Sequence, residues 1–163
     1  MRALVVLAHP SAQSLNAELA NLAVTTLSGR HVVAFIDLWR EVQRRPTTNE
    51  HPLVGVGILV LVYPTWWGGP PAPLKQWLDD QLSVDAGSFC EVRRLVVITT
   101  HGSPHWVNRL QGEPGRLLTM RGLRSRCHRL TRRRWLALYG LDRDDPLRRS
   151  RFRRRVETTL ARL

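Results

Sequence analysis

Cysteine is scarce in this chain, long apolar runs are absent and lysine is almost missing, and each shortage removes a class of protein. The two cysteines, Cys90 and Cys127, show no paired spacing. Neither a disulfide framework nor a zinc site of several thiolates is therefore expected, and a reducing cytoplasm is the default compartment. The longest apolar stretch, around Ile58 to Val62, falls far short of the roughly 20 residues that cross a bilayer, so no membrane span is expected. The opening residues Met1 to Pro10 carry one basic residue and too short an apolar stretch for a secretory signal, with no small-residue cleavage site after them, so export is not indicated. Walker A spacing and the Gly-x-Gly-x-x-Gly fingerprint are also missing.

Charge is plentiful but unevenly placed. Net charge is +12, yet residues 1–115 hold nine basic and nine acidic side chains. Residues 116–163 hold sixteen arginines against Asp142, Asp144, Asp145 and Glu157. Such a footprint suits nucleic acid, an acidic membrane surface or a phosphorylated ligand. Of the 25 basic residues only Lys75 is a lysine, a bias that equally fits a compositional habit, and no nucleic-acid motif accompanies it, so a nucleic-acid partner is not expected.

With 163 residues, 43% hydrophobic and 23% charged, the chain suits one globular domain over residues 1–163. Short β-branched runs alternate with stretches of helical period, the pattern of a parallel sheet covered on both faces. Five strands are expected, at Ala3–Ala8, His31–Asp37, Gly57–Tyr63, Arg94–Thr100 and Arg134–Tyr139, each reading as a doubly covered strand. A first helix follows Ser14 as N-cap, with Leu15, Leu19, Leu22, Ala23 and Leu27 on one face and Gly29 beyond its end. A second runs from about Pro71 to Leu82. A last one starts near Asp145-Pro146, where Phe152, Val156, Leu160 and Leu163 recur at helical spacing and leave the intervening arginines a solvated face. Five such units predict an α/β, flavodoxin-like three-layer sandwich, its five-stranded parallel sheet ordered 2-1-3-4-5. The ligand crevice then lies where the winding reverses, between the first and third strands.

Three loops face that crevice. The first, His9-Pro10-Ser11-Ala12-Gln13-Ser14-Leu15-Asn16, runs into a helix N-terminus, whose free N–H groups and hydroxyls suit a phosphate; taken alone, a plain N-cap with turn residues accounts for it more simply. The second holds Pro64-Thr65-Trp66-Trp67-Gly68-Gly69. Adjacent side chains of an extended segment point opposite ways, so at least one tryptophan is expected to face a ligand, or else to wedge against a dimer partner. The third, Thr99-Thr100-His101-Gly102-Ser103-Pro104-His105, offers hydroxyls and backbone N–H groups at a strand end, suited to an electron-rich heterocycle edge. His101 and His105 have no third ligand at sensible spacing, so no metal is expected.

Together the loops resemble the NAD(P)H:quinone oxidoreductase family of flavodoxin-like flavoproteins, which includes flavoprotein regulators of potassium efflux. The carrying motifs are His9-Pro with Ser14-Leu15-Asn16, Tyr63-Pro-Thr-Trp-Trp-Gly-Gly with Lys75-x-Trp77, and Thr99-Thr100-His101-Gly102. The resemblance implies non-covalent FAD or FMN, NAD(P)H as co-substrate, a quinone-like or other planar acceptor, ping-pong kinetics and a homodimer. It implies that His9, Gln13, Ser14, Leu15 and Asn16 hold the phosphate and ribityl part. Pro64, Thr65, Trp66, Trp67 and Gly68 would line the ring, and Thr99, Thr100, His101 and Gly102 would meet its polar edge. Trp67, His101 and His105 are the candidates nearest the chemistry. His101 replaces the first glycine of the usual Thr-Thr-Gly-Gly, which requires a negative φ there. No tyrosine or histidine between Trp106 and Gly115 matches the family's proton relay, which leaves His105 as a substitute. The segments Leu38–Val56 and Leu82–Arg93 are short, which keeps open an alternative: a repurposed fold acting as electron carrier or binding module, its Arg-rich end docking an acidic partner. FAD or FMN, and NADH or NADPH, remain undivided; the arginines from Arg116 to Arg134 suit the extra phosphate of NADPH and suit a compositional habit equally.

Overall fold

Alternating apolar residues in the central strands supply two cores at once. In the computed structural model, which describes residues 1–41, 52–84, 87–141 and 145–163, Ala3, Val5 and Leu7 of β1 (Arg2–Leu7) point to one face of the sheet and Leu4 and Val6 to the other. The remaining strands are β2 (Val32–Asp37), β3 (Val56–Thr65), β4 (Arg94–His101) and β5 (Arg132–Leu138). All are parallel, in the order β2-β1-β3-β4-β5, with Leu4 opposite Ala34 and Leu59, and Leu59 opposite Leu95. This is the flavodoxin-like topology expected from the sequence, with strand ends within two residues of those predicted.

Double coverage holds for β1, β3 and β4 and fails for β2 and β5. Val32 and Phe35 on β2 and Arg132, Arg133 and Arg134 on β5 are exposed. Both strands lie at the sheet edges, where the helices wrap less of the surface and one side of the ladder has no neighbour.

Helix α1 (Leu15–Ser28) and α7 (Pro146–Leu160) cover one face, burying Leu19, Ala23 and Leu27 against Phe152, Val156 and Leu160. The Ser14 hydroxyl caps α1 by accepting the Ala17 N–H at 3.1 Å. Gly29 ends it in right-handed geometry, at φ −66°, so the left-handed freedom of glycine is not used there. The Asp145 carboxylate caps α7 by accepting the N–H groups of Leu147 and Arg148, Pro146 fills the first turn, and Arg153 reaches Glu18 on α1 at 2.7 Å. On the other face α3 (Ala72–Val84) buries Leu74 and Leu78 beside Phe89.

The connections place the site. After β2 comes one turn of helix, α2 (Leu38–Glu41), held by the Asp37 carboxylate accepting the Trp39 N–H at 3.1 Å. Most of the short stretch up to β3, residues 42–51, lies outside the described residues, as do residues 85–86 of the linker after α3 and Asp142 and Asp144. Between β4 and β5 the chain forms α4 (His105–Leu110), α5 (Pro114–Leu117), a π-helical turn (Leu118–Leu123) and α6 (Arg124–Arg126). Among the described residues no helix is long and apolar enough to cross a membrane.

Candidate active site

Three loops leave the carboxyl ends of β1, β3 and β4 side by side, and two buried hydrogen-bond clusters tie them together. Asn16, on the first turn of α1, donates from Nδ2 to the Thr100 hydroxyl at 2.9 Å, joining the first loop to the third across 84 residues. Thr65 on β3 shares a hydrogen bond with Thr99 on β4 at 2.8 Å and lies 3.4 Å from His101 Nε2. Thr99, Thr100 and His101 are nearly inaccessible, side chain and backbone alike, so the third loop reaches the surface only from Gly102 and Ser103 onward, both half-buried.

In the first loop, His9 Nδ1 accepts the Ser11 N–H at 3.0 Å and the Ser11 hydroxyl accepts the Gln13 N–H at 3.2 Å. Leu15 and Asn16 are the first two helical residues, so their N–H groups have no intrahelical acceptor and carry the positive end of the helix dipole. Asn16 Oδ1 is buried and unpartnered. Gln13 is exposed, while Ser14 and Leu15 are half-buried.

The second loop is a tight reversal, which corrects the expectation of an extended segment. Trp66 and Gly69 exchange both backbone hydrogen bonds at 3.0 Å, and Trp67 and Gly68 between them have φ of 51° and 80°. Two left-handed residues in succession define a type I′ turn, for which Asn-Gly is the preferred pair. Tryptophan in that conformation costs about 1–3 kcal/mol. Its indole is fully exposed, and neither the Trp67 nor the Gly68 N–H is used by the turn. Trp66 lies half-exposed between His9, at 6.3 Å between ring centroids, and Trp39, at 6.1 Å and edge-on. Pro64 is buried beneath. Gly115 locks the turn from α5: its N–H donates to the Gly68 carbonyl at 2.8 Å, and a Cβ on it would lie 3.0 Å from that oxygen.

His101 has an extensive set of partners. Asn108 on α4 donates through Nδ2 to the Ser103 carbonyl and hydroxyl and to the Pro104 carbonyl. Its Oδ1 therefore faces His101 Nδ1 at 2.8 Å, which makes Nδ1 the protonated nitrogen of a neutral ring. Among the described non-glycine residues only Trp67 and Glu113 have positive φ, so His101 meets the backbone requirement of its position. Tyr139, just past β5, stacks on His101 at 4.4 Å, meets exposed His105 edge-on at 4.7 Å and donates to the Glu113 carboxylate at 2.6 Å. Burial and the neighbouring Glu113 push the Tyr139 phenol up to about 12. Glu113 stays below its ordinary value despite partial burial, because Tyr139 and Arg116 both donate to it.

Burial lowers the His101 pKa, opposed by the Asn108 acceptor and the Glu113 carboxylate. The unfolded chain, with histidine near about 6.5, therefore binds more protons than the folded one just below that pH. Stability falls as pH drops through about 6.5 and levels off below the folded value. His31, lowered mainly by burial and by the Met1 amino group, adds a slope of the same sign. His101→Gln is expected to flatten the fall in melting temperature between about pH 7.5 and pH 5; a slope equal to wild type would contradict this account.

Of the residues singled out from sequence, the structure brings His9 to Trp66, Asn16 to Thr100, Thr65 to Thr99 and His101, and both His101 and His105 to Tyr139. It sends the Trp67 ring outward. Sequence reasoning missed Asn108, Glu113, Gly115, Tyr139 and Trp39. Tyr139 carried a usable signal, being at the carboxyl end of a predicted strand; the others become visible only once the loops are folded together.

A family model described as flavodoxin-like fold matches residues 1–125, and the chain belongs to that family. No curated protein gives a significant match. Among solved structures, Smu.1420 from Streptococcus mutans UA159 superposes with a TM-score of 0.81 at 22% identity, covering 100% of both chains. An NAD(P)H:quinone oxidoreductase from Methanothermobacter marburgensis gives 0.77 at 19% identity, covering 99% of this chain and 96% of its own. An FMN-dependent NADH-azoreductase from Bacillus anthracis str. Ames Ancestor, solved with FMN, gives 0.74 at 13% identity and 99% of each chain. These likenesses concern the fold, and the names agree with the resemblance carried by the three loops.

Proposed function

We propose that the protein is a flavin-dependent oxidoreductase that takes reducing equivalents from NAD(P)H and delivers them to a quinone-like or other planar acceptor. One observation carries this reading: two sets of unused backbone N–H groups, at the α1 N-terminus and on the Trp67-Gly68 turn, stand at the mouth of the same crevice. The first suits a phosphate and the second the polar edge of a flat heterocycle. A Cβ on Gly69 would meet nothing within 4 Å, so the turn leaves room for close approach. Bound FAD or FMN would supply the hydride chemistry in both halves of a ping-pong cycle.

In this reading His9, Gln13, Ser14, Leu15 and Asn16 hold the phosphate and ribityl part, while Pro64, Thr65, Trp66, Trp67 and Gly68 line the ring. Gly102 meets its electron-rich edge, backed by the buried Thr99, Thr100 and His101. The His101 side chain is a positioning group, fixed neutral by Asn108, and His105 at the exposed edge of Tyr139 is the candidate proton donor. Exposed Trp67, Trp106 and Leu110 support the homodimer implied by the resemblance.

The test is a visible spectrum of the protein with FAD and with FMN, followed by anaerobic NADH or NADPH. Flavin bands that bleach with a nicotinamide are expected, and a protein that takes up neither flavin overturns the proposal. Trp67→Asn sharpens the test. Creating the preferred Asn-Gly pair is expected to raise stability by about 1 kcal/mol while weakening flavin retention severalfold; unchanged retention would remove the Trp67 ring from the site.

A further inference from the structure

A cleft of about 360 Å³ opens between the α5 and π-helical segment on one side and β5 on the other. That volume is at the lower end for small-molecule sites. Three guanidinium groups from three elements line it: Arg116 from α5, Arg121 from the π-helical turn and Arg133 from β5, with Glu113 and Trp135 beside them. Glu113 pairs with Arg116 at 2.9 Å. Arg133 donates to the Met120 carbonyl within the π-helical turn, a use that leaves its charge uncompensated. Arg121 is exposed and meets no carboxylate among the described residues. Three like charges against one carboxylate leave an excess that an anion in the cleft would relieve. Trp135 Nε1 is buried and lacks a hydrogen-bond partner.

The backbone here is unusual in the same place. A π-helical turn, with its i→i+5 pattern, is uncommon and recurs at functional sites. Here it carries Met120 and Arg121 into the cleft. The cleft also shares a wall with the site described above, since Glu113 accepts the Tyr139 hydroxyl at 2.6 Å and Tyr139 stacks on His101.

We propose that this cleft binds a phosphomonoester dianion through Arg116, Arg121 and Arg133, and that the phosphate it takes is the 2′-phosphate distinguishing NADPH from NADH. The second half rests on the oxidoreductase reading; the first does not. Guanidinium groups suit the task because each offers a planar pair of N–H donors to phosphate oxygens.

Calorimetric titration of the full chain at low salt with adenosine 2′,5′-bisphosphate, adenosine 5′-monophosphate and inorganic phosphate tests both halves without needing a loaded enzyme. The bisphosphate is expected to bind about tenfold more tightly than the monophosphate, an advantage that Arg121→Ala and Arg121→Glu each abolish. Arg121 is exposed, and Arg116→Ala offers a second surface variant with the same expected direction. Inorganic phosphate binding as tightly as the bisphosphate, and lost in Arg121→Ala, would retain the phosphate site and overturn the NADPH assignment. Equal affinity for both nucleotides in wild type, or no change in either variant, overturns the proposal. If the protein takes up flavin, the ratio of kcat/KM for NADPH over NADH should fall about tenfold in Arg121→Ala. If it takes up none, the calorimetry still decides the cleft.

Discussion

Gly115→Val is expected to weaken flavin binding by about 10- to 100-fold while leaving the chain folded. Even the first atom of a side chain at this position would lie 3.0 Å from the Gly68 carbonyl oxygen and 3.2 Å from the Gly69 Cα, both backbone atoms. They cannot rotate aside as a side-chain tip can, so the Trp67-Gly68 turn must move. That turn already holds two residues at positive φ, and the Gly115 N–H to Gly68 carbonyl bond of 2.8 Å is what seats it. Overpacking of this kind costs about 1–3 kcal/mol, a cost that falls on a surface turn rather than on the sheet. Urea denaturation should record that modest loss, and flavin titration should record the large one. Wild-type affinity in Gly115→Val would mean that the turn is not part of the binding surface.

The second large effect falls on stability. Asn108→Leu, close in size, should cost about 2–4 kcal/mol in chemical denaturation, because buried groups stripped of a partner lose about 1–3 kcal/mol each. Asn108 serves four groups: His101 Nδ1, the carbonyl and hydroxyl of Ser103, and the Pro104 carbonyl. Removing it leaves the His101 N–H buried and unpaired and unties the turn that opens α4. For a domain stabilised by roughly 5–15 kcal/mol in all, this is a substantial fraction. The variant should also show an altered pH dependence, because the acceptor that favours the charged imidazole is gone. A cost below about 1 kcal/mol would show that the loop finds other partners.

These two positions mark where the amino-acid order stopped being readable. Ser14, Asp145-Pro146 and the apolar strands act through neighbours a few residues away, so the caps, the last helix and the sheet order follow from local pattern. Trp66 to Gly69 reads as an extended segment: with no Asn at position 67, nothing local announces a left-handed tryptophan, and the Gly115 N–H that holds the Gly68 carbonyl comes from α5, far along the chain. Thr99 and Thr100 read as ligand-facing hydroxyls. Their actual partners, Thr65 and Asn16, lie 34 and 84 residues away in sequence, and only the parallel register brings them within reach. Tyr139 reads as the end of a strand, whereas its ring lies over His101 and its hydroxyl on Glu113. The edge strands read as buried because apolar content alone cannot tell a central strand from an outer one.

The π-helical turn has a consequence for how such a protein could diverge. Its wider winding is equivalent to one residue inserted into an α-helix. Deleting a single residue between Leu118 and Leu123 would let the segment rewind and carry Arg121 about 100° around the axis, away from the cleft. The sheet and the three loops would be untouched by that edit. Lineages sharing this architecture could therefore gain or lose an arginine-lined cleft by one small insertion or deletion, leaving every residue of the three loops in place.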